Sequence, residues 1–593
     1  MRILLDFCDP RALGAAAAGT GALRCAFDDP LQTLVALTPE QVKPVLEAAQ
    51  AQAQSGRWCV GFVRYEAASA FDSALCSHAG DSPLAWFGVF DKALPWPRPA
   101  SGTENTQVEW HSTLQRSEFD ANIARIHQAI GAGDLYQLNY TAPWHGNFCG
   151  AAPALFERLL RAQPNGYAAY IDTGAEQVLS VSPELFFDWQ AGNILTRPMK
   201  GTAARTGNAQ EDDALALALR HSAKERAENV MIVDLLRNDL SRIAEPFSVQ
   251  VPQLFAVQRL PTVQQMVSDV TARTRAGTTL ADVFGALFPC GSITGAPKVQ
   301  AMRMIRALEP KPRGVYCGAI GVLRPGGHAT FNVAIRSVTL KGTQATCGIG
   351  SGITFEASAA AEWQEWQHKR GFLERARAPF QLLETLRLEQ GVLHNLVAHL
   401  ARLAGAASHF GYAFDETRVR TALQQQAAQA AYSDDSWRVR LLLDETGQPE
   451  VEIFKLNSTP TPVQLALAAT HFEANQSEFT RFKTTRRAHY EAFAPNHSSI
   501  FDTLLYNPKG ELTECTRGNI ALLLDGKWQT PALSCGLLAG VGRAQLMAQG
   551  RLQEAVITLT DLPRVQAFAF INSLRGWLPA TLQGHTVSTA ADL

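Results

Sequence analysis

Residues 221–240 read HSAKERAENVMIVDLLRNDL, and their apolar spacing predicts one long helix. Ser222 is placed to cap the start of this helix, because Glu225 follows it three residues later. Glu225 and Glu228 are also three residues apart, so both carboxylates lie on one helical face. The segment therefore predicts a helix with an acidic stripe.

A second acidic helix is predicted later in the chain. Residues 359–369 read AAAEWQEWQHK, which places Glu362, Glu365 and Lys369 on one face. Two carboxylate pairs on two helices can converge on Mg²⁺, which prefers a few carboxylates, waters and an anionic ligand. Pattern alone leaves a second interpretation open, in which each pair is a solvated helix face.

The segments around these helices indicate an α+β fold. Runs such as 60–65 (VGFVRY) and 85–90 (AWFGVF) predict strands, and 117–131 predicts a helix. Their order is irregular, unlike a repeated βαβ unit. The 593 residues exceed one hydrophobic core, and a charged helix running into Arg-Ala-Pro places a domain boundary near residue 375.

The composition excludes several classes of protein. Hydrophobic residues make up 46% of the chain, which excludes a disordered or collagen-like protein. Lys and Arg total 53 against 55 Asp and Glu, so there is no basic excess for binding nucleic acid. No apolar stretch is long enough for a membrane span, and acidic residues interrupt the N-terminal apolar run. The ten cysteines form no CxxC motif. We therefore expect a cytoplasmic protein.

A series of motifs occurs in order over residues 110–372. They are GDLYQLNYT (133–141), SPELF (182–186), RPMKGT (197–202), the helix 222–239, FPCGSITGAPK (288–298), YCGAIG (316–321), 335–336, GSGI (350–353) and the helix 362–369. Together they resemble the chorismate-utilising enzymes, a family that includes anthranilate, isochorismate and aminodeoxychorismate synthases. The resemblance implies large antiparallel sheets flanked by helices in a domain over 1–372, with 1–110 as its N-terminal part and the catalytic motifs in 111–372. The glycines of 348–353 predict a tight turn that lets backbone approach a ligand.

The resemblance assigns roles to the acidic helices and their surroundings. Glu228 and Glu365 would bind Mg²⁺ directly, with Glu225 and Glu362 acting through water. Positive side chains and backbone N–H groups would face the carboxylates of chorismate. The substrate-binding residues implied are Gln137, Thr294, Tyr316, Arg336, Gly350, Gly352 and Lys369. Glu184 would be the general acid that protonates the departing 4-hydroxyl, with a pKa raised by burial.

Lys200 separates the reactions of this family, because anthranilate synthases carry Ala there. The resemblance to aminodeoxychorismate synthases implies that Lys200 attacks ring C2 as the 4-hydroxyl leaves, and that ammonia then enters at C4 and expels the lysine. A plain surface lysine beside a turn is the other interpretation. Gln137 stands where isochorismate and salicylate synthases place a water-activating Lys, and a glutamine cannot act as that base. Gln265 replaces a His that is frequent in the family; it can hydrogen-bond but cannot titrate.

The resemblance also implies an outside source of ammonia. A class-I glutaminase needs its own Cys nucleophile and His/Glu pair, and no GxCxGxQ-like segment occurs in the chain. We therefore expect a separate glutaminase subunit, or the use of free ammonia.

Residues 380–593 carry a second set of motifs. These are LETLR (383–387), HLARL (399–403), FKTTRRAHY (482–490), ELTECTRGNI (511–520), 530–543 and NSLRG (572–576). Together they resemble the fold-type IV enzymes that use pyridoxal phosphate, especially 4-amino-4-deoxychorismate lyase. The resemblance implies a domain of two subdomains over 380–593, joined to the first domain by a linker at 373–379.

Within this second set, Lys483 would link covalently to the cofactor and shuttle protons. Glu514 would pair with the pyridinium nitrogen. The phosphate would be bound by Arg402, by the hydroxyl of Ser573 and by backbone N–H groups. Those N–H groups belong to Val541 and Gly542, where Gly542 replaces a Thr that relatives often carry.

The two halves fit consecutive reactions. The first would aminate chorismate to 4-amino-4-deoxychorismate, and the second would eliminate pyruvate and leave 4-aminobenzoate, a folate precursor. Arg575 and Arg440 are candidates for the substrate carboxylates, although structural salt bridges explain them equally well. Two alternatives stay open for the second half: a D-amino-acid or branched-chain aminotransferase, and a non-catalytic scaffold. A homodimer through the C-terminal domain is an arrangement that the resemblance allows.

Overall fold

The computed structural model describes residues 1–11, 23–80, 83–97, 106–204, 209–259, 263–430, 435–495 and 497–584. The chain folds as two compact units, Met1–Ala378 and Pro379–Leu593. Each unit combines sheets with flanking helices, which confirms the predicted α+β class.

The described strands of the first unit are numbered β1 to β20 in chain order. They are Arg2–Phe7, Leu23–Asp28, Gln32–Ala36, Trp58–Val63, Ala85–Phe90, Leu94–Pro95, Gln107–Ser112, Gln137–Cys149, Tyr167–Asp172, Gln177–Ser182, Leu185–Gln190, Asn193–Arg197, Met199–Ala204, Gln250–Arg259, Val263–Arg273, Gly295–Ala296, Ala319–Leu323, Ala329–Val333, Ser337–Lys341 and Gln344–Ile353. Helices α1 to α8 are Pro39–Gln54, Arg116–Gly131, Ala152–Ala162, Ala209–His221, Ala223–Ser241, Leu280–Leu287, Lys298–Leu308 and Ala359–Ala376.

These strands form two large antiparallel sheets. The first sheet has the order β16-β8-β20-β19-β10-β9-β1-β2-β6, with β7 beside β8. The second has the order β13-β15-β12-β11-β18-β17-β4-β5-β3, with β14 beside β15. The two sheets share an apolar core that includes Phe7, Phe27, Phe62 and Ile320. Helices α2, α3, α7 and α8 cover the outer face of the first sheet, and α1, α5 and α6 cover that of the second.

The two acidic helices form as predicted. Helix α5 begins after Ser222, whose hydroxyl accepts a hydrogen bond from the Glu225 N–H at 3.4 Å. Helix α8 continues to Ala376, so the linker predicted at 373–379 is wrong for residues 373–376, where Leu373 and Ala376 pack into the core of the first unit. The prediction of a tight turn at 348–353 is wrong, because these residues lie in β20. Glycine is needed at Gly348 for packing, since a Cβ there would lie 2.1 Å from the Tyr316 ring.

The second unit contains two sheets, which agrees with the two subdomains predicted for residues 380–593. Its described strands, β21 to β32, are Leu382–Glu389, Val392–Leu393, Ser436–Leu443, Pro449–Lys455, Val463–Leu467, Asp502–Tyr506, Leu512–Cys515, Asn519–Leu524, Lys527–Pro531, Gln553–Ala555, Ala567–Asn572 and Gly576–Leu582. Helices α9 to α13 are Leu396–Phe410, Glu416–Ala430, Glu478–Arg481, Ala488–Glu491 and Val541–Ala548. The sheet β22-β21-β23-β24 packs on α9 and α10, and the mixed sheet β27-β26-β25-β32-β31-β28-β29-β30 has its own core.

Candidate active sites

Lys200 lies on β13 of the second sheet, and its side chain reaches Gly352 on β20 of the first sheet. A Cβ added to Gly352, on β20, would lie 2.6 Å from the Lys200 Nζ and 2.6 Å from the Gln137 Nε2. Gln137 begins β8, which pairs with β20. The missing side chain at Gly352 therefore leaves a space that both the amine and the amide border.

Buried polar atoms without partners surround this space. Both side-chain polar atoms of Gln137, and the Oε1 of Glu184, have no hydrogen-bond partner among the described residues. Native proteins leave few buried polar atoms unsatisfied. The unpaired atoms of Gln137 and Glu184 therefore indicate a site for a polar ligand.

Glu184 is placed to hold a proton. It follows β10 and is buried, and burial raises the pKa of its carboxyl to about 7, although Ser292, Lys200 and Lys369 act in the opposite direction. A carboxyl with this pKa is substantially protonated near neutral pH and can serve as a general acid. Ser292 has no predicted role, and its one signal in the sequence is its position inside the motif 288–298.

The carboxylates of the two acidic helices influence one another's charge. Burial raises the pKa of Glu225, and Glu365 and Glu362 add to the rise. Burial also raises the pKa of Glu228, with Glu225 and Glu365 adding to the rise and Lys200 opposing it. Burial raises the pKa of Glu362 as well. The structure thus brings both predicted carboxylate pairs together beside Lys200.

These carboxylates are not gathered into a ready metal cluster. Within the described ranges, no three Asp, Glu, His or Cys side chains form a group that could hold a metal ion. The Glu362 carboxylate accepts a hydrogen bond from Ser351, and Glu365 pairs with Lys369 at 2.7 Å. The donors are nevertheless the hard oxygens that Mg²⁺ prefers, and a cation would relieve their mutual repulsion.

Lys369 ties α8 to β20. Its Nζ donates to the Gly350 carbonyl at 3.0 Å while it pairs with Glu365. Burial opposes the ionisation of Glu365, but Lys369, Lys200 and Lys224 together outweigh burial and lower the pKa of that carboxyl. Three of the predicted site residues are therefore in direct contact.

Thr294 and Tyr316 are held in buried segments next to the same strands. The Thr294 hydroxyl donates to the Cys290 carbonyl at 3.0 Å, and its own carbonyl accepts from the Asn139 N–H at 2.8 Å. The Tyr316 ring packs directly against Gly348 of β20. Both residues thus lie beside the strands that carry Gln137 and Gly352.

Arg336 has contacts of a different kind. Its backbone is left-handed, with φ 49°, and its guanidinium donates to the Gln163 side chain. The guanidinium carbon lies 5.8 Å from the centre of the Phe372 ring, on α8. Burial, aided by Arg375, lowers the pKa of Arg336 to about 10. No contact that the structure describes joins Arg336 to Lys200.

The buried Arg313, which has no predicted role, connects several elements of this site through hydrogen bonds. Arg313 donates to Glu309 and also to the carbonyls of Ile293 and Asn139, each at 2.8 Å. Arg313 thereby joins Ile293, the residue just before Thr294, to Asn139 of β8. Arg313 stands just before the motif 316–321, and a lone arginine carries no pattern that would have revealed this role.

Lys483 is the centre of the second candidate site. Burial, with Arg487 and Arg402, lowers the pKa of its amine to about 7, while Glu384 and Glu514 act in the opposite direction. An amine with this pKa is largely neutral slightly above pH 7 and can act as a nucleophile. These charges also indicate that the predicted residues Lys483, Arg402 and Glu514 share one site.

Glu514, on β27, is buried and hydrogen-bonded from two sides. The Tyr490 hydroxyl donates to it at 2.6 Å, and the Leu538 N–H donates at 3.2 Å. Burial outweighs these donors and raises the pKa of Glu514 to about 7. The carboxyl is therefore fixed in place and able to share a proton with a basic ring nitrogen.

The Glu384 carboxylate connects two of the predicted phosphate ligands, Arg402 directly and Ser573 through His399. Glu384 accepts from the Arg402 Nε at 2.8 Å and Nη2 at 2.7 Å, while the Arg402 Nη1 donates to the Ala539 carbonyl at 3.0 Å. The His399 Nδ1 lies 2.6 Å from Glu384, and its Nε2 lies 2.8 Å from the Ser573 hydroxyl. Glu384 and His399 belong to the motifs LETLR (383–387) and HLARL (399–403), but neither residue has a predicted role.

The first turn of α13 faces the end of β31. A Cβ on Gly542 would lie 2.9 Å from the carbonyl carbon of Asn572 and 3.0 Å from the nitrogen of Ser573. A side chain at position 542 would therefore collide with the backbone of residues 572 and 573. The start of α13 therefore packs closely against Ser573, and the N–H groups of a helix start can bind an anion.

The two weaker candidates differ in their contacts. Arg440 pairs with its cross-strand neighbour Glu452 at 2.6 Å, as in a structural salt bridge. Arg575 donates to the Asn457 carbonyl at 3.1 Å and to the Thr459 hydroxyl. Both arginines are thus engaged with protein groups.

Comparisons with known families cover both units. The model of the family described as chorismate binding enzyme matches residues 9–375. The model of amino-transferase class IV matches residues 381–582, and a fold-type IV domain of this class implies pyridoxal phosphate as cofactor. In the described part of the chain, no helix has the length and apolarity needed to cross a membrane.

Individual relatives match the first unit. Aminodeoxychorismate synthase component 1 of Klebsiella aerogenes is 41% identical over 267 residues, 45% of this chain and 59% of that protein. Anthranilate synthase component 1 of Methanothermobacter thermautotrophicus is 33% identical over 334 residues, 52% of this chain and 72% of that protein. The crystal structure of anthranilate synthase component I from Streptococcus pneumoniae has a TM-score of 0.53 and 25% identity, covering 58% of this chain and 91% of that one. The chain spans less than two thirds of the length of the aminodeoxychorismate synthase relatives, at 59%, 63% and 57%.

Proposed function

Because the chain belongs to the chorismate binding enzyme family, we propose that residues 1–372 aminate chorismate to 4-amino-4-deoxychorismate. We propose that residues 380–593 then eliminate pyruvate and leave 4-aminobenzoate. The observation that carries the first step is the position of the Lys200 amine, which shares the space beside Gly352 with the Gln137 amide. A glutamine cannot activate water, so the lysine is the nucleophile that this space offers.

In the proposed first reaction, Lys200 attacks ring C2 while the C4–O bond breaks. Glu184 delivers its proton to the departing 4-hydroxyl, which leaves as water; its pKa of about 7 supports this role. Ammonia then adds at C4 as the bond between C2 and Lys200 breaks, and the lysine amine is restored.

The substrate carboxylates need positive partners in this site. Glu228 and Glu365 would hold Mg²⁺ directly and Glu225 and Glu362 through water, and the ion would neutralise the ring carboxylate of chorismate. The remaining substrate ligands would be Thr294, Tyr316, Arg336, Lys369 and the backbone of Gly350 and Gly352.

Ammonia would come from a separate class-I glutaminase, which the printed name "component 1" of the relatives supports. The chain would also accept free ammonia. We further propose a cytoplasmic protein that forms a homodimer through its second unit.

The residues of the second unit fit pyridoxal phosphate. Lys483 would carry it, Glu514 would face its ring nitrogen, and Arg402, Ser573 and the backbone of Val541 and Gly542 would bind its phosphate. The glycine at 542, which brings the Ser573 nitrogen against the first turn of α13, supports this fit. When bound, the cofactor supplies an electron sink for breaking a C–H bond.

Lys483 then acts as the proton carrier of the second reaction. Its amine takes the proton from ring C4, the C3–O bond breaks, and the ring becomes aromatic. The same group returns a proton to the methylene carbon of the departing enolpyruvate, which leaves as pyruvate. Its pKa of about 7 suits both transfers.

An aminotransferase is the second candidate for residues 380–593. The match to amino-transferase class IV over 381–582 favours it. Such an activity would transfer an amino group to a keto acid and would release no pyruvate from 4-amino-4-deoxychorismate.

A coupled assay tests the proposal. Purified protein receives chorismate, Mg²⁺, pyridoxal phosphate and ammonium salt, and 4-aminobenzoate and pyruvate are followed beside Lys200→Ala and Lys483→Ala. We expect the wild type to form both products, Lys200→Ala to consume no chorismate, and Lys483→Ala to stop at 4-amino-4-deoxychorismate. Anthranilate as product would overturn the first assignment, and transamination without pyruvate release would establish the second candidate.

A further inference from the structure

A β-bulge in β13 sets the direction of Lys200. The register between β13 and β15 shifts between Met199 and Thr202, so Lys200 and Gly201 together face the single residue Met266. Gly201 is left-handed, with φ 86°, as in bulges where glycine supplies the sharp turn. Bulges of this kind re-aim a side chain next to an active site.

The side chain of Gln265 holds this bulge with both ends of its amide. Its Nε2 donates to the Gly201 carbonyl at 2.9 Å, and its Oε1 accepts from the Thr202 hydroxyl at 3.0 Å. The neighbouring Gln264 donates instead to the Asp212 carbonyl. Gln265 therefore engages the two residues that directly follow Lys200.

The first acidic helix closes the other side of the bulge. A Cβ on Gly201 would lie 2.8 Å from the Glu225 Oε2 and 3.2 Å from the Glu225 Cβ, so the bulge packs closely against α5. Held between Glu225 and Gln265, the segment extends its lysine to Gly352 on the other sheet. An amide both donates and accepts hydrogen bonds at every pH, so these two contacts do not depend on titration.

We propose that Gln265 is a positioning residue that fixes the Lys200 amine for its attack, through the Gly201 carbonyl and the Thr202 hydroxyl. This inference rests on the proposed function, in which Lys200 is the nucleophile. Correct placement of a reacting group matters strongly, because a displacement of about 1 Å can cost about 100-fold in rate.

Three variants test the contribution of each hydrogen bond. Gln265→Glu keeps the size and the acceptor but removes the N–H donor, Gln265→Met removes both, and Thr202→Val removes only the hydroxyl partner. We expect kcat for ammonia-dependent consumption of chorismate to fall about 10- to 100-fold in both Gln265 variants and less in Thr202→Val. The KM for chorismate should stay within about twofold, since substrate contacts are untouched. Gln344→Glu makes the same change at an exposed position of β20 and serves as control.

A second readout does not depend on the reaction. Reductive methylation of the protein without substrate, followed by mass spectrometry, measures the labelling rate of Lys200, with Lys224 as an internal reference. We expect the rate at Lys200 to change several-fold in the Gln265 variants and the rate at Lys224 to stay constant.

The two readouts separate the inference from the proposed function. If Lys200→Ala retains activity but the Gln265 variants change the labelling of Lys200, positioning stands and the nucleophile assignment falls. If Lys200→Ala is inactive and both Gln265 variants match the wild type in kcat and labelling, the positioning role is overturned alone. A raised KM with unchanged kcat also overturns it.

Discussion

The Glu384 carboxylate binds the Arg402 guanidinium through two hydrogen bonds in the second unit, and their side chains are 2% and 18% exposed. Breaking such a pair leaves a charge without its partner, which costs more than the pair itself contributes. Glu384 therefore fixes the position of Arg402 in the candidate phosphate site.

Glu384→Gln should destabilise the protein by about 3 kcal/mol and weaken the binding of pyridoxal phosphate to the apoprotein. Burial opposes the ionisation of Glu384, but Arg402 and His399 outweigh it and lower its pKa to about 2. Its stabilising effect should thus be complete above about pH 4.5, the ordinary value for Glu, and be lost as the pH falls toward 2. Urea unfolding at several pH values measures this. Glu416→Gln, in an exposed pair with Arg420, should change stability by less than about 0.5 kcal/mol.

Glu184→Gln should lower kcat for chorismate about 100- to 10,000-fold, because a general acid is lost. In the wild type, kcat should fall as the pH rises through about 7, where Glu184 loses its proton. The profile is measured at a constant concentration of neutral ammonia. If Glu184→Gln keeps the same alkaline limb, Glu184 is not the acid.

Gly352→Ala should abolish most of the chorismate activity without unfolding the protein. The new methyl group would stand 2.6 Å from the Lys200 Nζ and the Gln137 Nε2, and we expect a loss of about 100-fold from the displaced amine. Gly371→Ala, in α8, meets nothing within 4 Å and is the matched control. That control should raise stability by about 0.5–1 kcal/mol with unchanged activity.

Removal of divalent metal should stop only the first reaction. After chelation, chorismate consumption should cease and return with added Mg²⁺, while conversion of supplied 4-amino-4-deoxychorismate continues. Glu228→Gln should require a higher Mg²⁺ concentration for half-maximal rate, because it removes one proposed ligand. An equal loss of both reactions on chelation would contradict the assignment of the ion to the acidic helices.

Lys483 should react with an amine reagent at unusually low pH. Its labelling rate in the apoprotein should rise with a midpoint near pH 7, because its pKa is lowered to about 7, while ordinary lysines react with a midpoint near 10.4. Labelling resolved by mass spectrometry over pH 5–10 measures this. A midpoint above 9 would contradict the lowered pKa of Lys483.

Local pattern was sufficient to predict the acidic helices. The cap at Ser222 and the spacing of Glu225 and Glu228 depend on neighbours within one helical turn, and the structure contains them as predicted. The order of motifs was likewise sufficient to predict the fold class of both units.

The partners of these residues could not be predicted in the same way. Gln265 meets Gly201, and Arg313 meets Asn139, only because sheet pairing and buried turns bring distant segments together. Glu384 and His399 stood inside recognised motifs, but their hydrogen bonds to Arg402 and Ser573 depend on the packing of β21, α9 and the end of β31. Such contacts are properties of the folded chain and leave no periodic signal.

The position of Lys200 and Gln137 on opposite sheets has a consequence for how this unit can be altered. Each sheet supplies one side of the candidate site beside Gly352, and both sheets pack on the shared core that includes Phe27 and Phe62. A chimera that replaces one sheet with that of a relative must therefore also keep core residues that match those of the other sheet. The two sheets should therefore be exchanged together. A chimera that combines sheets from different relatives should fold but lose the activity proposed for the first unit.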